Sequence, residues 1–365
     1  MALALYYFWY TERHTLHARD GALADPLFML AAALALTLGL SGLWSTGESL
    51  PDHGQIWARI IAAIGFMLIA AHAFATQTGF STYLRHVIIL ATLVSTVICL
   101  LYFVFGPVPG NNRIHGLFRL FNPGRAGHQY AATLPFLAVS FALGHGKWRI
   151  MAAVAIALTA ALIILTGTRA AWIGSAVGML AFILATLRIR RAQFLALLTL
   201  GGAIVSGLFL YASLNPDSAL HALLLPRGDS YRIAIWQTHI ERLFSGPWLF
   251  GWGALTEQPY LFIIDMELRG AHNLYISTAE QIGVIGLALF VILLVWTGWR
   301  LLGHMQHASA RLGLSLLVTG CVLSIFNGDR LIDKLGLVWF VFWLPVAIAV
   351  ALNNAKDKNP KHSAS

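Results

Sequence analysis

The sequence predicts an all-α polytopic membrane protein of about ten transmembrane helices, and three observations lead there. Hydrophobic residues make up 58% of the 365 positions and charged residues only 11%. A water-soluble fold could not hide that much apolar surface. The apolar residues also fall into blocks of roughly 17 to 22, the length a helix needs to cross a hydrocarbon core about 30 Å thick. None of these blocks alternates apolar with polar, as a barrel strand would. In lipid every backbone amide must be satisfied within its own segment, so the blocks are helices.

In chain order the blocks are 26–44, 57–75, 84–105, 128–144, 150–166, 170–187, 193–212, 283–301, 312–327 and 335–352. The start, Met1 to Tyr10, is apolar but too short to span and lacks a basic leader, so it is not read as a signal peptide. It is an interfacial segment or the stump of a further helix, which would bring the count to eleven or twelve. Cys99 and Cys321 each sit inside a block, which argues against a disulfide framework or a thiolate metal site. The reading divides the chain into an N-terminal helix bundle over 1–212, a loop domain over 213–272, C-terminal helices over 273–352 and a polar tail over 353–365.

Orientation follows from the basic residues between the blocks. Lys147 and Arg149, the run Arg188, Arg190 and Arg191, then Arg300 and Arg311, and finally Lys356, Lys358 and Lys361 all lie in alternate connections. Those connections and both termini are assigned to the cytoplasm. The formal net charge of +9 then belongs to the inside face, so the basic balance reflects topology and not nucleic-acid binding.

Several outside connections nevertheless carry arginine. Gly106 to Gly127 holds Arg113, Arg119 and Arg125 with no acid. The tight link Thr166-Gly167-Thr168-Arg169 places one Arg at a helix end. The long segment Ala212 to Ala271 adds Arg227, Arg232, Arg242 and Arg269, and the last outside link adds Arg330. The planar guanidinium grips phosphate oxygens bidentately and stays charged at any relevant pH. The competing role is ion pairing within loops or reaching to lipid phosphates. Ion pairing is expected for Arg227, Arg242, Arg269 and Arg330, each close to an acid. Arg169 has no acid nearby and is expected to bind an anion. Arg232 is expected to do the same, although Asp229 stands three residues before it. Arg113, Arg119 and Arg125 are open to either role.

Within the long segment, Asp229 to Gly246 reads as a helix capped by Asp229 or Ser230, with Arg232, Trp236 and His239 in one stripe. Ser218 to Pro226 is a short apolar stretch suited to the membrane interface. Gly246-Pro247 and Gly251-Trp252-Gly253 mark turns. The segment ends in Ala271-His272-Asn273-Leu274, just before a spanning helix. The macrodipole at such an N-terminus favours the neutral imidazole, the form able to accept a proton, and also favours a nearby phosphate.

These residues resemble the O-antigen ligase and O-antigen polymerase superfamily. The resemblance is carried by His272-Asn273-Leu274-Tyr275 with Gly283 and Gly286, by Thr166-Gly167-Thr168-Arg169, and by Ser230 to Trp236 with Gly251-Trp252-Gly253; Phe118 to Tyr130, with Asn122-Pro123, is a weaker fourth piece. It implies a metal-independent glycosyltransferase of the GT-C class, without a cofactor, in the bacterial inner membrane with its active site facing the periplasm. Its partners would be an undecaprenyl-pyrophosphate-linked glycan as donor, the lipid A core as acceptor, and membrane lipids. By position, Arg169 and Arg232 would bind the pyrophosphate and His272 would act as, or assist, the general base. Arg113, Arg119, Arg125, Asn273, Trp236 and Tyr275 would line the substrate. Relatives commonly have about twelve spans, against about ten here.

The chemistry is coherent without the family. Displacing a pyrophosphate needs charge stabilisation on the leaving group and proton removal from the nucleophile, which arginines and a neutral His supply. No Asp-x-Asp motif occurs in an outside loop to hold a metal. An O-antigen ligase is the first reading, with a polysaccharide polymerase or protein O-oligosaccharyltransferase of the same superfamily as the alternative. A transporter or flippase for an anionic lipid-linked sugar ranks second, because the blocks keep charges such as Arg59 and Arg85 at their ends. A non-catalytic lipid-binding scaffold ranks third.

Overall fold

The computed structural model describes residues 21–46, 50–77, 79–106, 113–187, 190–215, 217–220, 231–257, 260–263 and 266–357. Met1 to Tyr10, residues 221–226 of the short apolar stretch, and Asp229 and Ser230 lie outside them. Each of the ten apolar blocks is helical. The helices are α1 (Pro26–Leu40), α2 (Leu50–Thr76), α3 (Phe80–Phe105), α4 (Pro123–Leu143), α5 (Gly146–Leu165), α6 (Arg169–Thr186), α7 (Arg191–Leu214), α8 (Arg232–Phe244), α9 (Leu274–Leu302) and α10 (Ala308–Leu323), followed by a π-helical turn Trp339–Trp343 that runs into α11 (Leu344–Asp357). Of these, α8 alone lies wholly within the long segment between Ala212 and Ala271.

Among the described residues six helices are long and apolar enough to cross a membrane, and two shorter apolar ones, Ala308–Leu323 and Trp339–Asn354, accompany them. The chain is therefore a polytopic α-helical membrane protein. The short pair is the most enclosed part of the bundle: Leu312, Leu316, Val346, Ile348 and Trp343 are fully buried. Helices α6 and α10 approach closely because small residues face each other, and a Cβ at Gly178 would collide with Thr319. Ser315 Oγ donates to the Gly178 carbonyl across this contact (2.7 Å).

Two helix starts follow local rules. Asp25 accepts from the Leu27 amide (2.8 Å) and Asn122 from the Arg125 amide (3.2 Å), each with Pro as the first helical residue. Asp25 also locks one end of the bundle. It takes Arg300 Nη1 on both carboxylate oxygens (2.7 Å each) and Asn353 Nδ2 at 3.2 Å, tying α1, α9 and α11 together.

Helix α9 departs from expectation in a way that shapes the site. It starts at Leu274, nine residues before the apolar block, and is broken at Ile282 and Gly283 (φ 72°, ψ 179°). The amides released by the break are taken up by the turn after α8. Val284 N–H donates to Trp248 O (2.9 Å) and Ile285 N–H to Leu249 O (3.4 Å), while Trp252 and Gly253 donate to Glu280 O and Gln281 O (2.8 and 2.9 Å). The block at 283 thus marks where the long apolar half begins, and 274–281 is a separate, polar, buried half. Gly283 lies in backbone space open only to glycine, and a Cβ there would overlap the Leu249 carbonyl. Gly283→Ala is expected to lower stability by at least about 1–3 kcal/mol. A thermal melt of the detergent-purified variant that matches the parent would refute this.

Two further features differ from the sequence reading. Helix α8 begins at Arg232, with Tyr231 in the left-handed region (φ 60°) and no side-chain cap. Beyond it an antiparallel hairpin, β1 (Tyr260–Ile263) and β2 (Met266–Arg269), pairs Tyr260 with Arg269 and Ile263 with Met266. A two-stranded hairpin of four residues each leaves no periodicity long enough to read in the sequence.

Candidate functional site

His272 stands just outside α9, as expected. Asn273 is the N-cap, its side-chain oxygen accepting from the Tyr275 and Ile276 amides (3.0 and 3.1 Å). The chain reverses at His272, which adopts φ 46°, an uncommon value for a residue with a side chain. What holds it there is Asp329. The His272 amide donates to Asp329 Oδ1 (2.8 Å), and the ring Nδ1 lies 3.6 Å from Oδ2. That second distance is slightly long for a hydrogen bond. The His272 side chain is 43% exposed, so the face of the ring away from Asp329 is open.

Asp329 is itself fixed. Its carbonyl accepts from Gln281 Nε2 (2.6 Å), and Leu274 N–H donates to Ser324 O (2.8 Å), so the connection after α10 is pinned on the polar half of α9. Burial alone would raise the Asp329 carboxyl, but the bonds and charge of His272, with a smaller contribution from His239, hold it below the usual carboxylate range. A depressed folded-state value means that this grip is complete above the ordinary carboxylate range. It is lost as pH falls through the depressed value.

The stripe Arg232, Trp236 and His239 faces this assembly. Arg232 Nη2 donates to Phe326 O (3.3 Å) and the guanidinium lies over the Phe326 ring at 5.7 Å, three residues before Asp329. Trp236 Nε1 donates to Ala271 O (3.0 Å), bracing the residue before His272. His239 is buried and meets Glu280 Oε2 through Nδ1 at 2.6 Å, while Arg242 Nη1 approaches Glu280 Oε1 at 3.3 Å. His239 and Arg242 thus fasten α8 to α9, and Arg232 is the member of the stripe that reaches the His272 connection.

The Thr166-Gly167-Thr168-Arg169 turn forms a third part. Arg113 donates through Nε to Thr166 O (2.6 Å) and through Nη2 to Thr168 Oγ1 (3.1 Å), and Thr168 Oγ1 donates to Pro123 O (3.1 Å). Arg113 therefore shapes the turn from which Arg169 begins α6. The start of α4 lies between this turn and α8. A Cβ on Gly127 would press on Thr166 and Thr168, while the next residue, His128, has Arg232 among its charged neighbours. His128 is buried near the Gly124 carbonyl, but among the described residues no hydrogen bond of ordinary geometry reaches either ring nitrogen.

Arg125 is exposed in the first turn of α4. Tyr275 turns inward, its hydroxyl donating to Cys321 O (3.0 Å). The side chains of Arg119 and Arg269, and Arg227 entirely, lie outside the described residues. Two ion-pair expectations are corrected. Arg242 pairs with Glu280, not with its neighbour Glu241, which accepts from Gln237 (2.9 Å). Arg330 is exposed, while Asp329 and Asp333 beside it engage His272 and Arg59 (3.3 Å). The sequence points to neither Glu280 nor His128, and it marks Asp329 only as an acid beside Arg330, because charge spacing along the chain cannot show which side chain packs against it.

The helical bundle thus brings a histidine, its carboxylate partner and arginines from several connections together. A family model described as O-antigen ligase matches residues 152–291. An O-antigen ligase of Pseudomonas aeruginosa is 26% identical over 337 residues, covering 90% of this chain and 78% of that protein. Both likenesses support the resemblance to the O-antigen ligase superfamily.

Proposed function

We propose that the protein transfers a glycan from undecaprenyl pyrophosphate to a sugar hydroxyl of the lipid A core, at the periplasmic face of the inner membrane. All ten apolar helices would cross the bilayer, with α8 and the hairpin forming the catalytic loop domain. The observation that carries this reading is the two-point grip of Asp329 on His272, on the same connection that Arg232 reaches.

Asp329 positions His272. By accepting from Nδ1–H it would leave Nε2 with its lone pair free for the acceptor hydroxyl. As Nε2 takes that proton, the hydroxyl oxygen attacks the anomeric carbon and the bond to the phosphate oxygen breaks. The electron pair leaves on undecaprenyl pyrophosphate, where Arg169 and Arg232 stabilise it, and the imidazolium later releases its proton to water. A single displacement of this kind inverts the anomeric centre. Arg125, and Arg119 beside it in sequence, would extend the anion-binding surface. Arg113, Asn273, Trp236 and Tyr275 would hold the substrate-facing groups in place.

Because arginines supply the counter-charge, transfer by the purified protein from lipid-linked donor to core acceptor is expected to persist in excess EDTA. Loss of activity that Mg²⁺ or Mn²⁺ restores would oppose the arginine assignment. The function itself is tested by a lipopolysaccharide ladder gel of a ligase-null strain carrying this chain. Ladders restored on core support the ligase. Single-repeat caps that become ladders would indicate the polymerase of the same superfamily, and accumulation of untransferred donor with normal flipping would leave neither.

A further inference from the structure

Helix α8 divides its surface into three arcs at 100° per residue. One arc, Ile235, His239 and Leu243, is buried. A second, Gln237, Thr238 and Glu241, is polar. The third holds Ile233 (62% exposed), Ile240 and Phe244 (64% exposed), all large apolar side chains. The chain then turns through Trp248, Leu249 and Phe250, also exposed, with Phe250 at 59%. The depth of this turn is set by its hydrogen bonds, because Trp248 O and Leu249 O accept from Val284 and Ile285. Those two residues open the exposed apolar side of α9, which continues through Ile292, Val295 and Trp299 and is the surface a spanning helix turns to lipid. The apolar arc of α8 is thus continuous with the lipid-facing wall of the bundle.

We propose that α8 is an interfacial helix, with Ile233, Ile240, Phe244 and the Trp248-Leu249-Phe250 turn immersed among the acyl chains of the leaflet on the site's side. Amphipathic helices with aromatic and aliphatic residues on one face lie in this way, their apolar side about 5–10 Å into the headgroup and acyl boundary. Trp248 stands where interfacial aromatics collect. The arrangement fixes Arg232, the first residue of α8, at headgroup depth. If the proposed function holds, that is where the pyrophosphate of a membrane-embedded donor rests.

The test places a nitroxide, one at a time, at Ile233, Ile240, Phe244 and Phe250 of the full chain with Cys99→Ala and Cys321→Ala, in phosphatidylcholine nanodiscs. Collision with oxygen, which partitions into lipid, is compared with collision with a water-soluble nickel chelate. The four positions are expected to favour oxygen, at a depth of about 5–10 Å, as Val295 does more deeply, whereas Gln237 and Glu241 favour nickel. Nickel access at Ile240 and Phe244 equal to that at Glu241 would overturn the proposal. Shielding from both quenchers would overturn it too, by putting a protein partner on the face. In the chain with its cysteines intact, a benzophenone replacing Phe250 should crosslink phospholipid, and crosslinks to protein alone would count against immersion. None of these readouts requires transfer, so failure here leaves the ligase reading standing, and failure of the ladder test leaves this one.

Discussion

Replacing His272 with Ala is expected to lower turnover by about 10²–10⁴-fold while donor binding persists, the range for losing a general base. Arg169→Ala and Arg232→Ala should behave differently. A charged hydrogen bond to phosphate is worth about 1.5–3 kcal/mol, and the charge on the pyrophosphate grows as the bond breaks. Both affinity and turnover should therefore fall in the arginine variants. Arg→Lys should rescue only in part, because the charge survives and the bidentate fork does not. Asp329→Asn separates positioning from base chemistry: KM for the donor should hold and kcat should fall. Each variant must be present in the membrane at parental levels. Should His272→Ala bind donor no better than Arg232→Ala does, the base assignment fails and His272 becomes a pyrophosphate ligand.

Removing Glu280 should give the largest loss of stability. Its side chain is 4% exposed and faces His239 at 2% and Arg242 at 22%. Breaking a buried ionic contact by deleting one partner costs about 3–5 kcal/mol, since the other is left without compensation. Glu280→Ala is thus expected to lower the melting temperature of the purified protein sharply and loosen α8 from α9. Glu280→Gln keeps the shape and an acceptor for His239 and should cost less. Pairing Glu280→Met with His239→Leu should recover much of the loss, because a well-packed apolar replacement of such a pair is often neutral and Arg242 can turn toward water. A parental melting curve for Glu280→Ala would mean that the triad contributes nothing to holding the site.

The candidate site was legible in the sequence where chemistry follows chain order. His272 before a helix, Arg169 in a tight link and the Arg232, Trp236, His239 stripe each depend on spacing over a few residues, and the structure retains all three placements. The roles within the stripe did not follow from spacing. His239 and Trp236 share one stripe, yet one meets Glu280 and the other donates to the Ala271 carbonyl. Arg113 was open between anion binding and loop support, and it takes the second position in the geometry by holding Thr166 and Thr168.

By itself the sequence determined that the chain spans a membrane as helices and where they run, because lipid imposes a length and an apolar content on every crossing and both are written locally. It also determined which side chains stand at helix ends, since caps and turns act over two to four residues. Only the tertiary structure decided that Asp329, 57 residues away, grips His272, that Glu280, 41 residues from His239, anchors α8, and that α9 breaks at Gly283 to accept the turn after α8. Those are contacts between segments brought together by packing, and no period along the chain encodes which buried donor will meet which acceptor.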